Sequence, residues 1–188
     1  MKATNLLLSL FFIFGFCYAN AQTDTYAYEP SVEHPFGLPN PEAPEQITDW
    51  AALIGECDCK SLRRNPDQTW AEPVDMIWRF KYIMNGKGVQ DETIKADGIH
   101  SGSIRQYNVD SSRWYVHYYS NATASPSLGA WEGNLLEDGQ IILYKPQAAP
   151  NGTEGLFKIT FYEITDETFK FPTWKIECEK RNSEKSDR

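Results

Sequence analysis

The chain has 188 residues, 18 basic and 26 acidic side chains, a formal net charge of −8, and 14% aromatic residues. An acidic chain with no basic stripe lacks the electrostatic footprint of a nucleic-acid or anionic-membrane binder, and both partner classes are set aside. Its 10 Tyr, 10 Phe and 6 Trp suit a pleated, half-buried surface, so β-structure is expected.

The chain opens with MKATNLLLSLFFIFGFCYANAQ: a basic start, an apolar run from Leu6 to Tyr18, then Ala19-Asn20-Ala21. Small-x-small after a short apolar run is the layout of a signal peptide, here residues 1–21, with cleavage expected between Ala21 and Gln22. The run is too short for a membrane-spanning helix. Phe16 precedes Cys17 where lipid attachment calls for a small residue, which argues against a lipoprotein. No later stretch is long and apolar enough to span a bilayer as a helix. The expectation is an exported protein, periplasmic or extracellular, of the bacterial envelope. Without Lys2 the chain carries 17 basic against 26 acidic groups, a net of −9. Roughly 165 residues remain, enough for one domain with a core.

Residues 22–46 carry Pro30, Pro35, Pro39, Pro41 and Pro44, a spacing that blocks helix and sheet ladders. This segment reads as a linker or as a strap lying on the domain. ITDWAALIG follows, with Thr48 or Asp49 as N-cap candidates for one or two helical turns ending at Gly55. From there to residue 181 the sequence reads as strands at 56–64, 76–84, 88–95, 101–107, 113–120, 130–136, 140–145, 156–163, 168–171 and 173–181. Between them stand turn signals such as Asn85-Gly86, Asp97-Gly98, Asp138-Gly139 and Asn151-Gly152. Short strands joined by tight turns mean an all-β antiparallel sandwich or barrel. An up-and-down barrel of about 8–10 strands is preferred because closure removes unpaired edges. The last residues, 182–188, read as a disordered tail.

The two-residue period of a strand sorts the faces. Trp78, Phe80, Tyr82 and Met84 share one side against Arg79 and Lys81. Trp114, Val116 and Tyr118 oppose Arg113, Tyr115, His117 and Tyr119. Phe157, Ile159 and Phe161 oppose Lys158 and Thr160, and Trp174, Ile176 and Cys178 oppose Lys175, Glu177 and Glu179. Each strand therefore brings one apolar face to a common, aromatic interior.

Cys57 and Cys59 lie two apart in a strand, so they point the same way, inward opposite Glu56, Asp58 and Lys60. In a closed barrel the first and last strands are neighbours, which sets Cys178 facing Cys57 or Cys59. An oxidising, exported setting favours a disulfide there. His34, His100 and His117 are the only histidines and none has a zinc-ligand spacing to the pair, so no metal is expected. A redox pair calls for Cys-x-x-Cys at a helix start.

Gly55-Glu56-Cys57-Asp58-Cys59 after a short helix, then RRNPDQTW and WRFKYIMNGKGVQD, resembles a family of exported bacterial lipocalin-like domains of unknown function. SIRQYNVDSSRWYVHYYS is similar to that family's Arg-x-Tyr-Asp hairpin with a following Trp, and FYEITDETFKF to its penultimate strand. The resemblance covers about residues 47–171 and implies a calycin-type β-barrel. The chain departs from it at Cys57, which holds the place of a tryptophan, and in a shortened closing hairpin after Phe171.

A barrel of this size holds one small apolar ligand or fills its interior with side chains. The candidate lining is Trp78, Phe80, Tyr82, Trp114, Tyr118, Phe157 and Phe161, with Asp91 and Arg105 as polar handles or, equally, as surface charges. His117 faces away from Trp114, which argues against an axial haem ligand. No nucleophile elbow, zinc-protease motif or phosphate loop appears, so no catalytic residue and no cofactor is named. The leading expectation is a non-catalytic barrel binding a small hydrophobic ligand. One alternative is a small isomerase or hydrolase using the same cavity; another is an envelope interaction module using the proline-rich arm and the Tyr115/Tyr119 stripe. Asn121-Ala-Thr and Asn151-Gly-Thr fit glycosylation acceptors in a eukaryotic secretory route. Ligand identity and oligomeric state are not written in the sequence.

Overall fold

The computed structural model describes residues 26–148, 152–171 and 175–181. The Ala21–Gln22 junction, Trp174 and the 182–188 tail lie outside the described residues.

Ten antiparallel strands form one sheet: β1 (Gly55–Leu62), β2 (Val74–Ile83), β3 (Gly88–Lys95), β4 (His100–Asn108), β5 (Arg113–Ser120), β6 (Gly129–Leu135), β7 (Ile141–Ala148), β8 (Glu154–Phe161), β9 (Thr168–Phe171) and β10 (Lys175–Lys180). The spatial order is β8-β7-β6-β5-β4-β3-β2-β1-β10-β9, so the first and last strands pair and every neighbour but that one is consecutive in sequence. The two ends of the order, β8 and β9, do not share a ladder. They meet at one bridge, where Tyr162 and Lys170 exchange backbone N–H···O bonds of 3.1 and 2.9 Å.

Turn chemistry explains the sequential order. Met84 and Asn85 take φ of 57° and 53° between β2 and β3, and Gly98 and Gly139 take 85° and 78° in the β3–β4 and β6–β7 turns. Asn85, Gly98 and Gly139 take this left-handed conformation at little cost, Met84 is a bulky residue held in it by the turn, and together these positions reverse the strands within a few residues.

The register gives one face to the interior. Cys57 stands opposite Trp78, Phe80 opposite Asp91, Val89 opposite Arg105, Arg105 opposite Val116, and Trp114 opposite Gly133. Further along, Leu143 faces Ile159 and Ile141 faces Phe161. A 3₁₀ helix, Glu45–Leu53, buries Ile47, Trp50 and Leu53 against this face. It starts after Pro44 without a side-chain cap. The expected caps are engaged elsewhere: Thr48 Oγ1 donates to Glu45 O at 2.8 Å, and Asp49 accepts from the indole of Trp114 at 2.9 Å. The tertiary partner took the carboxylate from its local role.

The proline-rich segment lies against the β2–β3 turn. Tyr82 N donates to Phe36 O (2.8 Å), Tyr28 N to Asn85 Oδ1 (3.1 Å) and Asn40 N to Gly86 O (3.1 Å). Gly86 is needed here for a second reason besides its φ of 74°: a Cβ would sit 2.4 Å from Leu38 O. Prolines supply extended chain, and its free donors and acceptors are met by the turn below.

β1 and β10 carry the covalent link. Cys59 and Cys178 are register partners and form the disulfide, while Cys57 is a buried free thiol. Of the two partners open to Cys178, the chain uses Cys59 because Cys57 stands opposite Lys180. Burial pushes the Cys57 thiol up to about 11, which holds it protonated and unreactive at neutral pH.

Candidate functional site

The inner face divides into two ends with different packing. At the helix-capped end, Trp78, Phe80, Tyr82, Trp114 and Phe161 are at most 5% exposed. Trp50 enters from the helix, its ring 5.8 Å from Trp114 and 5.5 Å from Phe161, both edge-on. Trp78 packs 5.3 Å from Phe80 and 5.4 Å from Phe169. Edge-to-face pairs at these distances contribute about 0.5–1.5 kcal/mol each beyond the area they bury.

Asp91 and Arg105 both face inward at this end and form an ion pair, with side chains only 4% and 2% exposed. Their strands carry polar residues on both faces, which is why the sequence left their direction open. Asp91 Oδ2 also accepts from Trp78 Nε1 at 2.7 Å. The Arg105 guanidinium lies 4.4 Å from the centre of the Trp50 ring and 5.1 Å from that of Phe80. A buried charge is tolerable when paired and hydrogen-bonded, and the two aromatic faces add cation–π attraction. Arg105 Nε and Trp50 Nε1 find no acceptor. The charges of Asp91 and Arg105 are spent on each other, so the pair is an internal brace rather than a free handle.

Asp49 sits at the mouth of this end. Burial raises its pKa above the usual carboxylate value; the Trp114 hydrogen bond opposes that shift and Glu45 adds to it.

The far end, where β5 finishes and β6 begins, is different. Tyr118 and Phe157 belong here, and neither is in ring contact with the capped-end cluster. Both touch Trp131, at 6.2 Å edge-on and 6.5 Å tilted. All three are half-buried. Gly129 stands opposite Tyr118 and Gly155 opposite Gln147 on the same inner face, so two of its positions present no side chain. A Cβ at Gly155 would meet nothing closer than 3.8 Å. Lys145, opposite Phe157, points inward with its ammonium 4.9 Å from the centre of the Trp131 ring. Among the described residues no carboxylate pairs with Lys145, and the buried Nε1 of Trp131 has no acceptor. Hydroxyls of Thr93 and Ser101, 2.6 Å apart, and of Ser103 lie on this face across β3 and β4.

The sequence-derived lining thus falls into two groups: seven residues in one packed cluster, and Tyr118 with Phe157 in another. Trp50, Trp131 and Lys145 were not on that list. The alternation Trp131-x-Gly133-x-Leu135 and Ile141-x-Leu143-x-Lys145 carries the signal for two of them, but three consecutive apolar residues, 141–143, blur the period.

His117 faces outward, in register with Ile104 and Ala130. Tyr119 lies over Gly102 on the same outer face and its hydroxyl accepts from Gln90 at 2.7 Å. Asn121 uses its side chain internally, donating to Gly98 O and accepting from His100 N. A depression of about 320 Å³ lies on the outer face, and one of about 950 Å³ is lined by residues of both faces, including the inner-face Cys59, Met76, Phe169 and Cys178. The larger is lined by ion pairs, Lys60–Asp75, Lys170–Glu163 and Arg181–Asp58, that neutralise one another. The smaller is lined by Ile142, Tyr144, Leu136 and Leu156. No group of three or more metal-ligating side chains occurs among the described residues, and none of their helices is long and apolar enough to cross a membrane.

No family model matches the chain, and no curated protein is detectably similar to it.

Proposed function

We propose that the protein is an exported, lipocalin-like barrel that binds a small apolar molecule at the far end of its interior, without catalysing a reaction on it. The observation that carries this reading is the half-buried Tyr118–Trp131–Phe157 cluster on the same inner face as Gly155, where a side chain would meet nothing closer than 3.8 Å, on a face that is elsewhere tightly packed. Rings left part-exposed on an inward face are apolar surface still to be covered, and completing the burial of each would contribute about half of the ~1.5–3 kcal/mol that a side chain gains from full exposure to full burial. Barrel closure is supported by the Tyr162–Lys170 bridge and by Phe161 packing 5.1 Å from Phe171 across the seam. Export is supported by the leader-like first 21 residues and by the Cys59–Cys178 disulfide.

The test is native mass spectrometry of the protein purified from its own cells, followed by titration with Nile red. Bound mass that leaves on denaturation, and dye binding weakened at least tenfold by Trp131→Ala in a folded protein, are expected. Finding no co-purifying mass and no dye binding would sink the reading.

A further inference from the structure

We propose that the molecule bound at the far end is an amphipathic acid, its apolar body on the three rings and its acidic group received by Lys145 and the indole N–H of Trp131. This rests on the binding reading above and adds the chemical class. Three observations on the inner face carry it.

The first is charge. Among the described residues the ends of the interior differ: Asp91 and Arg105 cancel at the capped end, whereas Lys145 has no carboxylate partner. The whole chain carries a net charge of −8, so a lysine without a counter-ion inside the sheet runs against its composition. The second is an unmet donor. Trp131 Nε1 is buried without an acceptor, in the residue whose ring lies beside the Lys145 ammonium. An unmet buried donor costs about 1–3 kcal/mol, which a ligand oxygen would recover. The third is space. A Cβ at Gly155, on the strand paired with that of Lys145, would meet nothing closer than 3.8 Å, whereas the neighbours of Gly129 already close round it, Lys145 Nζ at 3.1 Å and the Trp131 ring at 3.5 Å from its Cβ position.

A neutral apolar molecule would cover the rings but leave both donors unanswered, and a cation would meet repulsion from Lys145. An oxygen acid answers both donors with charge-assisted hydrogen bonds, the stronger kind.

The experiment uses three probes with one decyl chain: decanoate, decanol and decyltrimethylammonium, each titrated below its aggregation concentration against Trp fluorescence. Decanoate is expected to bind roughly tenfold or more tighter than decanol, the difference one charge-assisted hydrogen bond supplies. The cation is expected to bind weakest. Lys145→Met should bring decanoate down to the decanol affinity while decanol itself is unchanged, with the thermal melt of the variant confirming that it folds. Equal binding of acid and alcohol, or an acid preference that survives Lys145→Met, would overturn the assignment while leaving the barrel-binding reading intact. Failure of all three probes would overturn both. The comparison on unaltered protein stands even if the variant does not fold.

Discussion

The two ends of the inner face are built from the same residue types and do opposite things with them. Phe80, at the capped end, is fully buried, while Phe157 at the far end is half-exposed. Arg105 lies beside Trp50 and Phe80 and has Asp91 to neutralise it; Lys145 lies beside Trp131 and has no such partner. The helix accounts for much of the difference. Trp50 fills the space between Phe80, Trp114 and Phe161, and no described residue does the same for Trp131. A cation beside an aromatic ring is thus neutralised by a carboxylate in one place, where only Arg105 Nε and Trp50 Nε1 lack an acceptor, and left without a counter-ion in the other. Stability should reside at the first end and ligand recognition at the second.

The largest effect tests how far the sheet depends on its covalent link. Cys59 and Cys178 close a loop of 119 residues, for which the chain-entropy account gives about 4–5 kcal/mol as an upper figure. Replacing both with serine should lower the unfolding free energy obtained from urea denaturation by an amount of that order. A change under about 1 kcal/mol would mean that capped-end packing holds β1 and β10 together unaided.

Asp91→Ala comes next. It strands the Arg105 charge in the interior and leaves Trp78 Nε1 without its acceptor, at a cost of about 3–5 kcal/mol. Arg105→Met on the same background should recover most of the loss, because two apolar groups replace a pair whose desolvation was itself costly. A double variant no better than Asp91→Ala would show that the brace adds something that packing cannot. The matched pair Phe80→Ala and Phe157→Ala sharpens the comparison. The first should destabilise by about 3–5 kcal/mol; the second should cost about 1 kcal/mol or less yet weaken ligand binding. Equal destabilisation by the two would erase the distinction between the ends.

Most strands were legible because tight-turn residues bracket them: Asn85-Gly86, Asp97-Gly98 and Asp138-Gly139 mark reversals, and the alternation in MIWRFKYIM or RWYVHYYS sorts faces cleanly. Legibility failed where a local signal met a distant partner. Thr48 and Asp49 have cap chemistry, but Trp114, 65 residues away, claims the carboxylate. Asp91 and Arg105 sit on strands polar on both faces, so only the pairing of Phe80 with Asp91 and of Val89 with Arg105 reveals that they point inward. Lys145 was hidden by Ile142, which is 8% exposed on the outer face and breaks the alternation of β7, and Trp131 by its inner-face neighbours in β6, Gly129 and Gly133, which carry no side chain to mark a face. Closure of the sheet was expected where the first and last strands meet. Those strands do pair, and β8 and β9, the two ends of the strand order, share only the single Tyr162–Lys170 bridge rather than a ladder.

The smallest expected effect concerns pH at the rim of the capped end. The pKa of Asp49 is raised above its ordinary 3.8 chiefly by burial, so the folded protein holds this proton more tightly than the unfolded chain does. Stability contributed by the neutral acid is therefore fully present below the ordinary value and is lost as pH rises through the raised one. Asp49→Asn keeps an oxygen for Trp114 Nε1 and removes the ionisation. It should match the unaltered protein in acid and equal or slightly exceed it at neutral pH. Asp49→Ala removes the acceptor from a fully buried tryptophan and should cost about 1 kcal/mol or somewhat more at both pH values. Thermal melts of the three proteins at pH 3 and pH 7 separate the contributions. If the asparagine variant melted as low as the alanine variant at neutral pH, the negative charge itself would be what Trp114 requires, and burial would not be the dominant influence at this rim.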